Sequence, residues 1–343
     1  MTVTSEITPT AAPTLEEVAA LAGVSRSTVS RVVNNSPHVK AEAASAVQRA
    51  IDTLGYVPNR AARSLASRKT QVVALVVPES TAKVFADPFF ASVVQGAALY
   101  LSETEYTLNM VIASEATPEK TRRYLLGGNV DGALVVSHHS GDHSYARLGS
   151  TLPVVFGGRP LSAEEDGSYF VDVDNVAAAR MVTQHLVDLG RQDIALIAGR
   201  QDMPAGVDRL EGWRQAMRGA GLHDDMVEVG DFSPRHGAEA MRRLLDRGLP
   251  IDAVFASNDQ MAAGALSALR ERGLSVPGDV AVAGFDGDYF GETSDPPLTT
   301  VMQPSTALGQ AMAEMLVRLI AGEPVERVTM MPTELVVRAS TTA

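Results

Sequence analysis

Two short N-terminal segments carry the residue types and spacings that suit a polyphosphate ligand. In TLEEVAALAGVSRSTVSRVVN, residues 14–34, Arg26, Ser27, Ser30 and Arg31 fall on one helical face and Val29, Val32 and Val33 on the other. Hydroxyls and guanidinium forks on an exposed helix can read base edges and hold phosphates in a DNA major groove. The second segment, GYVPNRAARSLASRKT at 55–70, sets Leu65 among Arg60, Arg63, Arg68 and Lys69. Its nine-residue stretch RAARSLASR is too short to hold a helix alone in water. Phosphate contacts would supply the missing energy, and a lone leucine between such charges can wedge into a base step from the minor groove. The same stretch also reads as an interdomain linker, and the two roles are compatible.

The elements that must position these side chains are legible around them. Leu15, Val18, Ala19 and Ala22 follow helical spacing. Thr14 with Glu17 three residues on forms a capping box at the start of that helix, and Gly23 supplies a left-handed stop. Ser25 then caps a second helix after a short turn. A third helix is predicted from about Lys40 to Leu54, with Val47, Ala50, Ile51 and Leu54 inward, a weak cap at Lys40 and Gly55 as its end. An ordinary helical hairpin would share the periodicity. AGVSRSTVS, however, combines turn glycine, cap and core spacing in one window.

Charge divides the chain the same way. The whole sequence carries −12, residues 1–70 carry +3 and the remainder −15, so only the head has the sign for DNA. The chain of 343 residues fits a small head and a two-part body. Having no cysteine, it has neither disulfides nor thiolate metal sites. It shows no long apolar run and no secretory signal, and a cytoplasmic protein without membrane contact is expected. Residues 1–12, rich in Thr, Pro and Ala, read as a disordered tail.

From Gln71 onward, apolar runs at 72–77, 108–113, 132–136, 153–156, 194–198, 253–257 and 280–285 alternate with amphipathic helices such as 174–189 and 259–272. That alternation predicts an α/β body of two doubly wound parallel-sheet subdomains, with a ligand cleft at the carboxyl ends of their strands. Candidate cleft residues lie at those ends. Phe89 and Phe90 in DPFF can stack on a ring or pack in the core. Arg209 lies one helical turn before Trp213, and a guanidinium fork there can grip vicinal hydroxyls or a carboxylate. Asn258 and Asp286 each follow a strand, where short polar side chains can bind several hydroxyls, and Asp259 is expected mainly as a helix cap. HHSGDH at 138–143 matches no metal-ligand spacing and reads as a solvated loop. Nucleophile elbow, phosphate loop and dinucleotide fingerprint are all absent, so no catalytic residue, cofactor or metal is assigned. A glycosidase would need two opposed carboxylates, which spacing alone neither supplies nor excludes.

Over nearly its whole length the chain resembles the lactose-repressor (LacI/GalR) family of transcription regulators, most specifically through AGVSRSTVS and the hinge segment. The resemblance implies a helix-turn-helix head at 13–57, a hinge helix at 58–70 and a periplasmic-binding-protein-like body at 71–343. Subdomain crossovers would lie near Val171, Met302 and Val328. It makes Arg26, Ser27 and Arg31 base readers and Leu65 the wedge. Thr14, Ser25, Thr28, Ser30, Asn34, Tyr56 and Asn59 become phosphate or backbone contacts, with Arg60, Arg63 and Ala66 in the hinge. The resemblance is also what places Arg209 in the cleft, and it adds Arg159, Asp174, Asn175, Phe232 and Gln303 there. Met203 and Ala205 stand where sugar-binding relatives use serines, so part of the hydroxyl pattern differs. GGRP at 157–160, VDVDN and IAGRQDMPAGVDRLEGW are most similar to cellobiose- or cello-oligosaccharide-responsive repressors. The expected partners are a near-palindromic operator, a small sugar effector and a second copy of the chain. A purine or another sugar as effector, with either sign of response, stays open at this point.

Overall fold

The computed structural model describes residues 13–33, 36, 38–57, 69–113, 118–139, 145, 148–160 and 167–342, in two units divided between Thr70 and Gln71. The tail at 1–12 and nearly all of the hinge segment at 58–70 lie outside the described residues.

The first unit contains α1 (Leu15–Ala22), α2 (Arg26–Val33) and α3 (Ala41–Leu54). Local chemistry sets their ends. Thr14 Oγ1 accepts from the Glu17 amide at 3.3 Å while Glu17 Oε2 accepts from the Thr14 amide at 2.7 Å, a reciprocal capping box. Gly23 and Gly55 stop α1 and α3 at φ 65° and 62°, left-handed values that cost glycine little. Ser25 Oγ accepts from the Thr28 amide at 3.2 Å, whereas Lys40 gives α3 no side-chain cap. Val18, Val29 and Val47 are completely buried where the three helices meet, joined by Ala19, Ala50 and Tyr56.

The second unit holds two six-stranded sheets. The first is built from β1 (Val72–Val77), β2 (Thr107–Ile112), β3 (Gly132–Val136), β4 (Val154–Gly157), β5 (Tyr169–Val173) and β11 (Val328–Met331), in the order β11-β5-β4-β3-β1-β2 and parallel throughout. The second contains β6 (Ile194–Ala198), β7 (Val227–Val229), β8 (Ala253–Ala256), β9 (Ala281–Asp286), β10 (Thr299–Met302) and β12 (Glu334–Val336), in the order β12-β10-β9-β8-β6-β7, with only β12 antiparallel. Helices cover both faces, so a central strand such as VVALVV is buried at every position rather than at alternate ones.

On the first sheet, α5 (Pro88–Ser102) and α12 (Ser305–Ala321) pack Phe90, Val93, Met312 and Leu316 over Leu75, Leu134 and Val136. The two helices cross backbone to backbone: a Cβ on Gly96 would lie 1.8 Å from the Thr306 carbonyl oxygen, and one on Gly309 2.1 Å from that of Val93. On the second sheet, α7 (Asn175–Asp188) and α8 (Pro204–Gly219) contribute Val182, Leu186, Trp213 and Met217 to one face. The opposite face receives Met241 and Leu244 from α9 (Pro234–Asp246), and Met261 and Leu269 from α10 (Asp259–Glu271). Short α4 (Thr81–Ala86), α6 (Pro118–Leu126) and α11 (Tyr289–Thr293) complete the unit.

The chain passes between the sheets three times: after Val173, between Met302 and Ser305, and between Met331 and Glu334. The last crossing comes one strand later than the expected Val328. Residues 328–331 pair parallel with Phe170–Val173 and so belong to the first sheet, and only β12 joins the second. Residues following strands of both sheets line one cleft at their carboxyl ends.

Candidate functional site

In the first unit, Arg26, Ser27 and Arg31 are exposed on α2, the side away from buried Val29. Arg26 Nη1 pairs with Glu16 Oε1 at 2.9 Å, both side chains being well exposed. Ser25 Oγ lies 2.8 Å from Ser27 Oγ and 2.9 Å from Thr28 Oγ1, so three hydroxyls cluster at the start of α2. Ser30 is half-buried, and Thr14 is exposed. Tyr56, expected as a phosphate contact, is instead 8% exposed, its ring filling space in the three-helix core. The remaining candidates for DNA contact, Asn34, Asn59, Arg60, Arg63, Leu65 and Ala66, lie outside the described residues.

In the second unit, a cavity of about 110 Å³ lies between the sheets' carboxyl ends. Eight of the ten cleft candidates line it: Phe89, Phe90, Asn175, Arg209, Phe232, Asn258, Asp286 and Gln303. Arg209, 4% exposed, is its central cation. Its Nε donates to Asn175 Oδ1 (2.9 Å) and its Nη1 to the Ser257 carbonyl (2.6 Å) and Asp286 Oδ1 (3.3 Å), while the guanidinium lies 3.6 Å from the centre of the Phe285 ring. Gln303 Nε2 donates to the same Asp286 oxygen at 2.8 Å. Burial drives the Asp286 pKa well above the usual carboxylate range even with Arg209 beside it.

The aromatic walls are held by equally specific local structure. Phe89 and Phe90 meet edge to face at 5.6 Å, and Phe90 belongs both to the core and to the cavity wall. The Phe232 ring occupies space that a side chain at residue 199 would claim, since a Cβ on Gly199 would lie 2.1 Å from Phe232 Cζ. Three of the chain's four described non-glycine residues with positive φ line this cavity: Ser137 at 58°, Phe232 at 72° and Asp286 at 102°. Each such conformation costs on the order of 1 kcal/mol or more, and strain of this kind concentrates at functional sites.

Two candidates do not reach the cavity. Asp174 is exposed and caps α7, its Oδ1 accepting from the Ala177 amide at 2.8 Å, because the helix start takes its carboxylate outward. Arg159 extends instead to Asp208 on α8, where Nη2 meets both carboxylate oxygens at 2.8 and 2.9 Å, strapping one subdomain to the other. Asp259 is not a cap either. Asn258 takes that role, its Oδ1 receiving the Met261 amide at 2.9 Å while its Nδ2 donates to the Phe232 carbonyl at 3.0 Å. Asp259 is fully buried behind the cavity, where burial raises its pKa to about 7.

Several lining residues were not expected there from sequence, among them Lys83, Asp87, Ser137 and Asp172, and His138, read as the start of a solvated loop, is instead buried and lines the cavity. Asp172 accepts from the Arg159 and Val173 amides at 2.7 Å each and from Asn175 Nδ2 at 3.1 Å, so it orients the asparagine that orients Arg209. A carboxylate inside an otherwise apolar buried strand was the signal for it. Asp87 caps α5 through the Phe89 amide at 3.0 Å, and burial lifts its pKa to about 6. It was visible in DPFF, next to the aromatics that drew attention.

Outside the cavity, sharing Lys83, Asp87 and Phe232 with it, a mouth of about 750 Å³ opens between α4, α9 and the loop after β6. His139 bridges the subdomains beside it, Nε2 lying 3.3 Å from Glu79 and Nδ1 3.2 Å from Asp202. Burial alone would raise Glu79, but contacts with His139 and Lys83 outweigh it and hold the group at about 2. Among the described residues no His, Asp and Glu group is arranged to hold a metal ion; Asp142 and His143 of the HHSGDH stretch are outside them. Aromatic walls, amides and buried carboxylates at strand ends form a surface that can hydrogen-bond a hydroxyl-rich, ring-shaped ligand.

Comparison with known proteins places both units. The family model for bacterial regulatory proteins, lacI family, matches residues 14–59, and that for a periplasmic binding protein-like domain matches residues 183–341. The HTH-type transcriptional regulator CelR of Thermobifida fusca is 47% identical over 333 residues, 96% of this chain and 98% of its own. A solved transcriptional regulator CelR–cellobiose complex is 46% identical with a TM-score of 0.76, over 96% of this chain and 99% of that one. The Lac repressor dimer bound to operator and the anti-inducer ONPF gives 30% identity and a TM-score of 0.85 over the same shares.

Proposed function

Since the chain belongs to the LacI family of bacterial regulatory proteins, we propose that it is a repressor whose hold on its operator is relieved by cellobiose or a short cello-oligosaccharide. It is a DNA-binding transcription regulator and not an enzyme, and it binds operator DNA as a dimer. A single α2 reads only a few base pairs, so two heads on a near-palindrome are needed for specificity. Among the described residues no helix is long and apolar enough to cross a membrane, and the place of action is the cytoplasm, where the operator is.

The observation that carries the effector reading is the near-full-length identity to CelR together with a cleft of matching chemistry. In this reading Arg209, Asp286, Asn175, Asn258 and Gln303 bind sugar hydroxyls, and Phe89, Phe90 and Phe232 face the rings. Arg26, Ser27 and Arg31 contact bases, Thr14, Ser25, Thr28, Ser30, Asn34 and Asn59 contact the phosphate backbone, and Leu65 wedges the central step. Cellobiose shifts the subdomains toward the arrangement that cannot seat both hinges on DNA; each tenfold preference for that state contributes about 1.4 kcal/mol of coupling.

The test is fluorescence anisotropy of a labelled near-palindrome from the protein's own promoter region, titrated with cellobiose, maltose, lactose and a purine. Release by cellobiose is expected. Tightening by the purine, or indifference to every sugar, would remove cellobiose as effector and leave the DNA-binding role standing.

A further inference from the structure

The charges of the cleft decide which sugars it can hold. Three cations line the cavity and its mouth, and each is already engaged by a carboxylate of the chain. Lys83 Nζ lies 2.6 Å from Glu79, Arg200 makes two contacts with Asp202 at 2.9 and 2.5 Å, and Arg209 meets Asp286 at 3.3 Å. Asp87, Asp172 and Asp231 also line the cavity or its mouth, and among the described residues none of them forms an ion pair with lysine or arginine. Carboxylates therefore outnumber cations on this surface.

Helix N-termini, the other usual anion receptors, are also taken. The Phe89 amide at the start of α5 goes to Asp87, the His236 amide of α9 to Ser233, and the Met261 amide of α10 to Asn258. Among the described helices, α8 and α12 start at the cavity without a side-chain cap, and each helix end supplies about half a charge. Together that is less than the carboxylate excess.

Accepting the cleft as the effector site, we infer that it admits neutral sugars and excludes their phosphorylated and carboxylated forms, with Asp87 as the residue that enforces the choice. Asp87, Lys83 and Phe232 line both the cavity and its mouth, and Asp87 is the one acidic side chain common to the two. A phosphate monoester would bring a charge of about −1.5 to −2 into a partly desolvated site with no uncommitted cation among its described lining residues. Burial has already lifted Asp87 to about 6, which is the mark of a site where one anion is disfavoured before a second arrives. The effector must then reach the protein with its hydroxyls and reducing end unmodified. Uptake or glycoside hydrolysis can supply such a sugar, whereas phosphoryl transfer or oxidation of the reducing end would silence it.

The experiment uses the full chain on its labelled operator, titrated with cellobiose, cellobiose 6-phosphate, cellobionate and the neutral 6-O-methylcellobiose. The anionic forms should need at least about a hundredfold more ligand than cellobiose, about 2.7 kcal/mol, and the methyl ether less than tenfold more. Asp87→Asn, which retains the cap oxygen, should narrow the hundredfold gap by about tenfold. Equal potency of cellobiose and its phosphate would overturn the inference while leaving the cellobiose reading intact, as would a methyl ether excluded as fully as the phosphate. A gap untouched by Asp87→Asn would remove that residue's role. Release by none of the four would bring down the cellobiose reading, and the inference with it.

Discussion

Replacing Arg209 by methionine keeps an unbranched, flexible stem and removes the charge and the donors. The guanidinium makes three hydrogen bonds, to Asn175, Ser257 and Asp286, in a site that is 4% exposed. Hydrogen bonds involving a charged group contribute roughly 1.5–3 kcal/mol each, and breaking a buried ion pair costs about 3–5 kcal/mol in total. Part of that cost is recovered because Asp286, already raised well above the usual carboxylate range by burial, can take up a proton. A loss of about 3 kcal/mol is therefore expected for Arg209→Met. The chain's single tryptophan, Trp213, makes the assay specific: it is fully buried in the core of the second sheet, so its fluorescence in urea follows that subdomain and not the head. The double variant Arg209→Met, Asp286→Asn should recover at least about 1 kcal/mol, since it leaves no uncompensated carboxylate. Operator binding should persist while the sugar response disappears. A loss below about 1 kcal/mol, or a double variant no more stable than the single one, would refute the pairing as the organiser of the cleft.

Cap chemistry in the head gives two opposite expectations, readable by hydrogen exchange: Thr14→Ala should cost about 1 kcal/mol, whereas Lys40→Ser, supplying the cap that α3 lacks, should add about 0.5–1 kcal/mol. Asp208→Asn should weaken the strap to Arg159, a partly exposed pair worth about 1 kcal/mol, and lower sugar affinity about fivefold in calorimetry without touching a residue of the cavity wall; unchanged affinity would dismiss the strap. Thermal stability of the body should rise as pH falls from about 8 toward 5. Burial raises Asp259 to about 7 and Asp87 to about 6, so the folded state holds these protons more tightly than the unfolded chain, and that contribution fades as pH climbs through those values. His139, where contact with Glu79 overcomes the opposing effect of burial, acts in the same direction, and His185, lowered by burial, acts against it. Asp259→Asn should flatten the profile; an unchanged slope would locate the titration elsewhere.

Much of this was legible because local chemistry and global fold agree. The Thr14 and Glu17 pair, Gly23 and Gly55 mark helix ends in sequence and do so in the structure. Most central strands read as unbroken apolar runs, since both faces are covered, but Tyr169–Val173 and Thr299–Met302 are interior strands whose runs are broken by Asp172 and by Thr299 and Thr300. The other strands missing from the sequence reading lie at sheet edges. Val227–Val229 and Glu334–Val336 have three residues each, and Val328–Met331 shows alternate exposure typical of a surface. No periodicity can be read from three residues.

In the cleft, the residues at strand ends were visible, and their hydrogen-bond directions were not. Asp172 and Asp174 are two residues apart in VDVDN, yet the first faces inward from a buried strand and the second caps a helix outward. Arg159 could equally have entered the cavity from its loop; its partner Asp208 is 49 residues away, and that pairing exists only in three dimensions. Tyr56 shows the same limit in the head, where an aromatic ring could serve either a phosphate or a core and the core took it.

The central claim is that the cleft and the operator compete through one conformational equilibrium, and linkage makes that directly measurable. Cellobiose affinity should be measured by calorimetry on the free dimer and on the operator-bound dimer, alongside operator affinity with and without saturating cellobiose. The two ratios should agree and exceed about tenfold, with cellobiose bound more weakly on the operator complex. Equal cellobiose affinity in the two states would contradict the account, because a ligand indifferent to the bound operator cannot release it.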